Sequence, residues 1–278
     1  MKQLVKSPWF RLTLIPLLGL ALLMSFLLAC QRHLIFFPED LSEHQNLQDT
    51  GADDEVFIQT EDGVTIHALW FEHDPVETSP TLLYFHGNAG NVVSWAPVAR
   101  RFQAMGLNVL LVDYRGYGKS EGTISERGLY RDGRAAYRAL RHRQIEPQRI
   151  IVHGRSLGAA VATEVATTYP VAGVVLETPF THLGDMARDL YRIRPPSWLL
   201  RFEFDNLERA PDIDAPTWVV HGTNDAIVPT DHGRAVYDAL SNPWHLTIID
   251  GGDHNNLMSF PDYQRDFQRF LDHLENHK

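Results

Sequence analysis

From residue 56 onward the large apolar side chains come in short clusters separated by polar turns. VFIQT, the turn Glu61 to Gly63 and VTIHALWF read as the two strands of a β-hairpin that opens a folded domain spanning 56–278. Short runs rich in Val, Ile and Leu follow at 81–86, 108–114, 149–154, 173–178, 217–222 and 245–250, each with the length and composition of a fully buried parallel strand. Between them, 93–105, 125–143, 157–169, 230–240 and 263–275 carry helical character. Strand and helix therefore alternate, which predicts an α/β fold with a mostly parallel sheet and helices on both faces.

One segment breaks that rhythm. Residues 181–210 form a connection about twice the usual length, with Pro195 and Pro196 in its middle, and read as a cap insertion over the sheet edge. It concentrates Trp198, Leu199, Leu200, Phe202 and Phe204, which either pack the insertion onto the domain or line an acyl pocket. Arg188, Arg192, Arg194 and Arg201 interleave with them, as a solvated face or as holders of a phosphate or carboxylate.

The N-terminus follows another pattern. Lys2, Lys6 and Arg11 precede 19 residues without a charge, Leu12 to Cys30, enough at 1.5 Å per residue to cross a hydrocarbon core of roughly 30 Å. The leading positive charges predict a cytoplasmic N-terminus and a domain on the extracytoplasmic side, in the cell envelope. Residues 1–30 are then either an uncleaved membrane anchor or a signal peptide of the lipoprotein type. Leu27-Leu28-Ala29-Cys30 resembles the bacterial lipobox, which makes Cys30 a candidate lipidation site. Residues 37–55 are acidic and polar, and 31–55 read as a spacer.

Composition narrows the field further. The 278 residues are 44% hydrophobic, which excludes a disordered chain. The net charge is −10, and no Lys or Arg occurs between Arg32 and Arg100 while 12 acidic residues do, so no nucleic-acid partner is expected. The single cysteine excludes an intrachain disulfide and a cysteine-rich zinc site.

Chemistry concentrates at the ends of the expected strands. Gly154-Arg155-Ser156-Leu157-Gly158 matches G-x-S-x-G between a buried strand and an Ala-rich helix, the setting in which a serine sits on a strained turn with its Oγ aimed outward. A serine hydroxyl needs a base, and the base an orienting acid. His254, in GGDHNN after the last strand, lies where strand ends build active sites. His86, His153 and His221 end apolar strands before glycine and read as buried, neutral and hydrogen-bonded. Asp225 follows the strand 217–222 and completes the chain order Ser, Asp, His, with Glu177 and Asp253 as rivals for the acid. An oxyanion hole would draw on the Leu157 amide and on the amide of Asn88 or Ala89 in the loop His86-Gly87-Asn88-Ala89-Gly90.

HGNAG, DYRGYGKSEG (113–122), GRSLG, HGTNDAIVP and GGDHNN, in this order, resemble the α/β-hydrolase superfamily. The likeness is greatest to its membrane-anchored branch, related to the fission-yeast Bem46 protein and the mammalian abhydrolase-13 and -17 groups. HLIFFP (33–38) is similar to that branch as well. The resemblance implies an α/β-hydrolase fold and a serine hydrolase with triad Ser156, Asp225 and His254. It makes DYRGYGKSEG a structural, site-lining loop. The expected reaction is hydrolysis of a small-molecule or lipid acyl ester or thioester through an acyl-enzyme, with no metal or organic cofactor. A peptidase of the proline-iminopeptidase type uses the same parts on an amide, and a non-catalytic surface binding protein is the remaining alternative, disfavoured by the complete triad.

Overall fold

The computed structural model describes residues 19, 24–26, 28, 30–41, 47–192 and 195–277. Most of the apolar run 12–30 and Arg194 lie outside the described residues, whereas Cys30 lies within them. Among the described residues no helix is long and apolar enough to cross a membrane.

Among the described residues there are ten strands: β1 (Phe37–Pro38), β2 (Asp54–Gln59), β3 (Thr65–Phe71), β4 (Thr81–Phe85), β5 (Ala89–Gly90), β6 (Asn108–Val112), β7 (Ile150–Arg155), β8 (Gly173–Glu177), β9 (Thr217–Gly222) and β10 (Pro243–Ile249). Eight of them form one sheet in the order β10-β9-β8-β7-β4-β6-β3-β2. The expected hairpin is the antiparallel pair β2–β3, joined antiparallel to β6, and every pairing from β6 across to β10 is parallel. Every residue of β4, β6, β7, β8 and β9 is buried, because helices cover both faces and no strand position is left for a polar side chain facing water.

Successive strand residues supply two separate cores. Leu83, Phe85 and Val152 pack on one face with the helices α2 (Glu126–His142) and α3 (Leu157–Thr168). Leu82, Tyr84 and Ile151 pack on the other with α1 (Val92–Ala104) and the C-terminal helix Pro261–Asn276. Helix α1 starts where it does because the Asn91 side chain accepts from the Val93 and Ser94 amides while Ser94 Oγ accepts from the Asn91 amide. That start leaves the loop between β4 and α1 at the carboxyl end of the sheet. There the chain turns from β4 toward β6 on one side and β7 on the other, the crevice where doubly wound sheets place ligands.

The stretch 31–55, read as a spacer from its polarity, is partly folded onto the domain. Residues 30–35 are helical, Phe36 is buried against Phe202 with ring centroids 4.9 Å apart, and β1 pairs in parallel with β5. One apolar side chain and a short backbone ladder fix this segment, and mean polarity does not register either. The cap insertion contains a helix (Leu183–Tyr191) and two shorter turns, Ser197–Leu199 and Asn206–Arg209. Leu199, Phe202 and Phe204 are buried and pack it onto the domain; Trp198 projects into solvent. A cavity of about 720 Å³ lies within the insertion, lined in part by His182, Asp185, Leu200, Leu207 and Glu208.

Candidate active site

Ser156 sits between β7 and α3 with φ +53° and ψ −114°, a left-handed conformation that a side chain adopts at a cost of about 1–3 kcal/mol. The two flanking glycines make the turn possible. A Cβ on Gly154 would lie 2.1 Å from the Gly158 carbonyl oxygen, and one on Gly158 would lie 2.1 Å from the carbonyl oxygen of Phe85. Backbone fills both spaces, so the G-x-S-x-G spacing is a steric requirement. The Ser156 amide donates to the Glu177 carbonyl at 2.8 Å, tying the turn to β8. Leu157 is the first residue of α3, so its N–H belongs to the set that a helix leaves without internal partners.

The loop His86–Gly90 is held by its carbonyls. Asn88 O accepts from the Phe37 amide at 2.9 Å and from the Tyr117 hydroxyl at 2.8 Å, and Ala89 O accepts from Trp95 Nε1 at 2.8 Å. Ala89 is exposed and Asn88 half-buried. The anchored Asn88 carbonyl shares its peptide plane with the Ala89 amide, and the Gly87 carbonyl, 2.7 Å from His86 Nδ1, shares its plane with the Asn88 amide.

His254 and Asp225 meet. His254 Nδ1 lies 2.7 Å from Asp225 Oδ2, although 29 residues separate them in the chain. The other carboxylate oxygen accepts from the amides of Ile227 and Val228 at 2.9 and 2.8 Å. His221 Nε2 stands 3.3 Å from Oδ2 while also reaching the Val228 carbonyl at 2.8 Å. Burial pushes the Asp225 carboxyl upward, but hydrogen bonds from His221, His254 and the Val228 amide outweigh it and hold the group well below the usual carboxylate range. Asp225 is thus a carboxylate, and the Nδ1 it faces must carry a proton to make this hydrogen bond.

The two rival acids are engaged elsewhere. Asp253 accepts from the Asn255 amide at 2.7 Å and from Asn256 Nδ2 at 2.8 Å, and so shapes the loop that presents His254. Glu177 lies 3.1 Å from His153 Nε2, 3.2 Å from the Tyr263 hydroxyl and 3.4 Å from Arg155 Nε. Burial works against its charge, yet the His153 hydrogen bond and the Arg155 guanidinium hold its carboxyl below the ordinary value. Burial likewise lowers His153 and keeps that ring neutral. His86 is buried with Nδ1 2.7 Å from the Gly87 carbonyl, so all three strand-end histidines are buried, hydrogen-bonded groups.

The DYRGYGKSEG loop holds structure together. Asp113 Oδ1 accepts from the Val92 amide at 2.8 Å, and Arg115 makes paired contacts with Asp132 and Asp62, its nitrogens within 3.0 Å of an oxygen of each.

One site residue has no signal in the motif. Arg155, the first variable position of G-x-S-x-G, donates through Nη2 to the His254 carbonyl at 2.6 Å and to Asn255 Oδ1 at 2.5 Å. Its guanidinium carbon also stands 5.0 Å from the ring centroid of Trp95, the residue that anchors Ala89. A buried arginine next to the serine therefore joins the loops that carry Ala89 and His254. The available sequence clue was a charged residue at the end of an apolar strand.

The sheet order, the strained serine turn and the carboxylate facing a histidine define an α/β-hydrolase, and the chain belongs to that family. Residues 77–203 match the family described as serine aminopeptidase, S33. The chain is 36% identical over 234 residues to an uncharacterized protein of Mycobacterium tuberculosis, covering 83% of each chain. It is 31% identical over 249 residues to the α/β hydrolase domain-containing protein WAV2 of Arabidopsis thaliana, covering 81% of this chain and 80% of that one. Among solved structures, the esterase Pf2001 of Pyrococcus furiosus superposes with a TM-score of 0.68 at 25% identity, covering 85% of this chain and 98% of the esterase.

Proposed function

We propose that the protein hydrolyses carboxylic esters or thioesters through a serine acyl-enzyme, at the extracytoplasmic face of a membrane to which residues 1–30 attach it. The observation that carries the chemistry is the 2.7 Å contact between His254 Nδ1 and Asp225, which follow β10 and β9 at the carboxyl end of the sheet as the strained Ser156 turn follows β7. With Nδ1–H donated to the carboxylate, Nε2 of His254 is left as the proton acceptor. Ser156 Oγ attacks the acyl carbonyl carbon as its proton passes to Nε2, and the carbonyl electrons move to oxygen. The amides of Leu157 and of Asn88 or Ala89 receive that charge, each donor lowering the barrier by about 3 kcal/mol. Collapse of the tetrahedral intermediate breaks the bond to the alcohol or thiol, which leaves with the proton from His254. Water then repeats the sequence on the acyl-enzyme and frees the acid. Asp225 stabilises the imidazolium formed in each half-reaction.

A second reading, cleavage of an amide after a free amino terminus, is favoured by the description of the matching family. Fluorophosphonate labelling of the full chain followed by turnover of p-nitrophenyl esters and aminoacyl p-nitroanilides separates the readings. Labelling that disappears in Ser156→Ala together with ester turnover supports the esterase. Turnover of anilides alone assigns the peptidase, and a wild-type chain that neither labels nor turns over any of them overturns both.

A further inference from the structure

The end of the N-terminal segment and the cap insertion are joined. Gln31, directly after Cys30, donates through Nε2 to the Leu199 carbonyl at 2.6 Å and accepts through Oε1 from the Arg201 amide at 2.8 Å. One side chain thus grips the backbone on both sides of Leu200, immediately after Trp198. Phe36, stacked edge-on against Phe202 and Phe204, closes the same contact five residues later.

Around this junction large apolar side chains face solvent. Trp198 is 76% exposed, Leu34 60% and Phe37 52%, while the aromatic residues beside them are buried. Arg201 is exposed and Arg32 half-buried at the same place. Trp with Arg and scattered aliphatics is the composition of a protein surface at a membrane interface, where an amphipathic ring and a cation meet the headgroups. The 19 uncharged residues that end at Cys30 supply the reason for a bilayer there.

We propose that this junction rests on the bilayer surface, with Trp198 and Leu34 inserted into the headgroup layer, and that the site takes acyl esters carried by the membrane. The inference rests on the membrane attachment and hydrolase readings above. From Gln31 to Phe37 the chain runs through a helical turn and two extended residues, about 13 Å of path. Phe37 is the register partner of Ala89. With the roughly 5 Å between paired strands added, the mouth of the candidate oxyanion loop lies within about 18 Å of Gln31, close enough for a lipid-borne ester to reach Ser156 without leaving the interface.

The test uses the full-length chain in vesicles of phosphatidylcholine and phosphatidylglycerol whose acyl chains carry bromine near the headgroup. Flotation reports attachment and fluorophosphonate labelling reports the serine. Lipid bromine is expected to quench part of the tryptophan emission, and that part is expected to vanish in Trp198→Phe. Trp198→Ala is expected to lower turnover of a long-chain p-nitrophenyl ester dissolved in the vesicles roughly tenfold, with p-nitrophenyl acetate turnover in water unchanged. A chain that labels but does not float overturns the attachment reading and this inference together. One that floats and labels, yet shows the same quenching and vesicle turnover in wild type and variants, overturns this inference alone. Self-association in detergent that Trp198→Ala abolishes would assign the face to a second copy and overturn it as well.

Discussion

The Arg155 guanidinium donates to the carbonyl of His254 at 2.6 Å, so the residue before the candidate nucleophile holds the main chain of the candidate base. The same guanidinium faces Glu177 inside the protein. Replacing Arg155 by Met strands that carboxylate and frees the His254 loop, with an expected loss of about 3 kcal/mol in stability. Adding Glu177→Gln removes the stranded charge. The double variant is expected to regain most of the urea midpoint while ester kcat stays low, because the strut to His254 is still missing. Recovery of both would reduce Arg155 to a purely structural partner of Glu177.

The two glycines of the serine turn are expected to tolerate no side chain at all. A methyl at Gly158 meets the Phe85 carbonyl, a backbone atom that cannot rotate away. Gly158→Ala is therefore expected to lose about 3 kcal/mol, at the upper end of what overpacking costs, as read by urea denaturation. A loss under about 1 kcal/mol would show that the strand and helix separate easily here.

Asp225→Asn removes the carboxylate that orients His254, with an expected fall in kcat on the order of 10⁴. If Glu177→Gln costs more turnover than Asp225→Asn, the acid has been assigned to the wrong residue. The same variant carries a pH signature. The folded-state pKa of Asp225 is depressed, so its contribution to stability is fully present above the unfolded value of about 4 and is lost as pH falls through the folded one. The difference in urea midpoint between wild type and Asp225→Asn is expected to hold above about pH 5 and to narrow progressively from there down to about pH 2. A difference that stays constant across this range would place the carboxyl at an ordinary pKa.

The proposed membrane attachment has two forms, and Cys30 separates them. Mass spectrometry of the membrane fraction is expected to find a mature chain that begins at Cys30 and carries diacylglycerol, and Cys30→Ser is expected to remain unprocessed. A peptide beginning at Met1 or Lys2 in the wild-type membrane protein would instead establish the uncleaved helix.

Much of the fold was legible because its determinants are local. The runs at 81–86, 149–154 and 217–222 each hold three or four consecutive large apolar residues, as strands buried on both faces require. The turn at Ser156 was legible for the same reason: two glycines four residues apart around a serine answer a steric demand within one turn of chain. His254 and Asp225 were legible by position, since each follows a strand and active sites gather at strand ends.

Other features depend on neighbours that are distant in the chain. Chain order favoured Asp225 among the three candidate acids; the packing of β8 and β9 is what turns Glu177 toward His153 and Asp225 toward His254. Arg155 occupies a variable position of the serine motif, and only the fold carries Asn255 and Trp95 to it. The polarity of 31–55 concealed that Gln31 and Phe36 dock on the insertion, and the apolar cluster 198–204 concealed that Phe202 and Phe204 face the core while Trp198 faces water. The sequence alone determined which elements form and where reactive groups stand along the chain, since periodicity and steric exclusion act over a few residues. Partner choice among those groups waited for the tertiary structure, because a hydrogen bond or a buried face depends on distances that the sheet order sets across a hundred residues of chain.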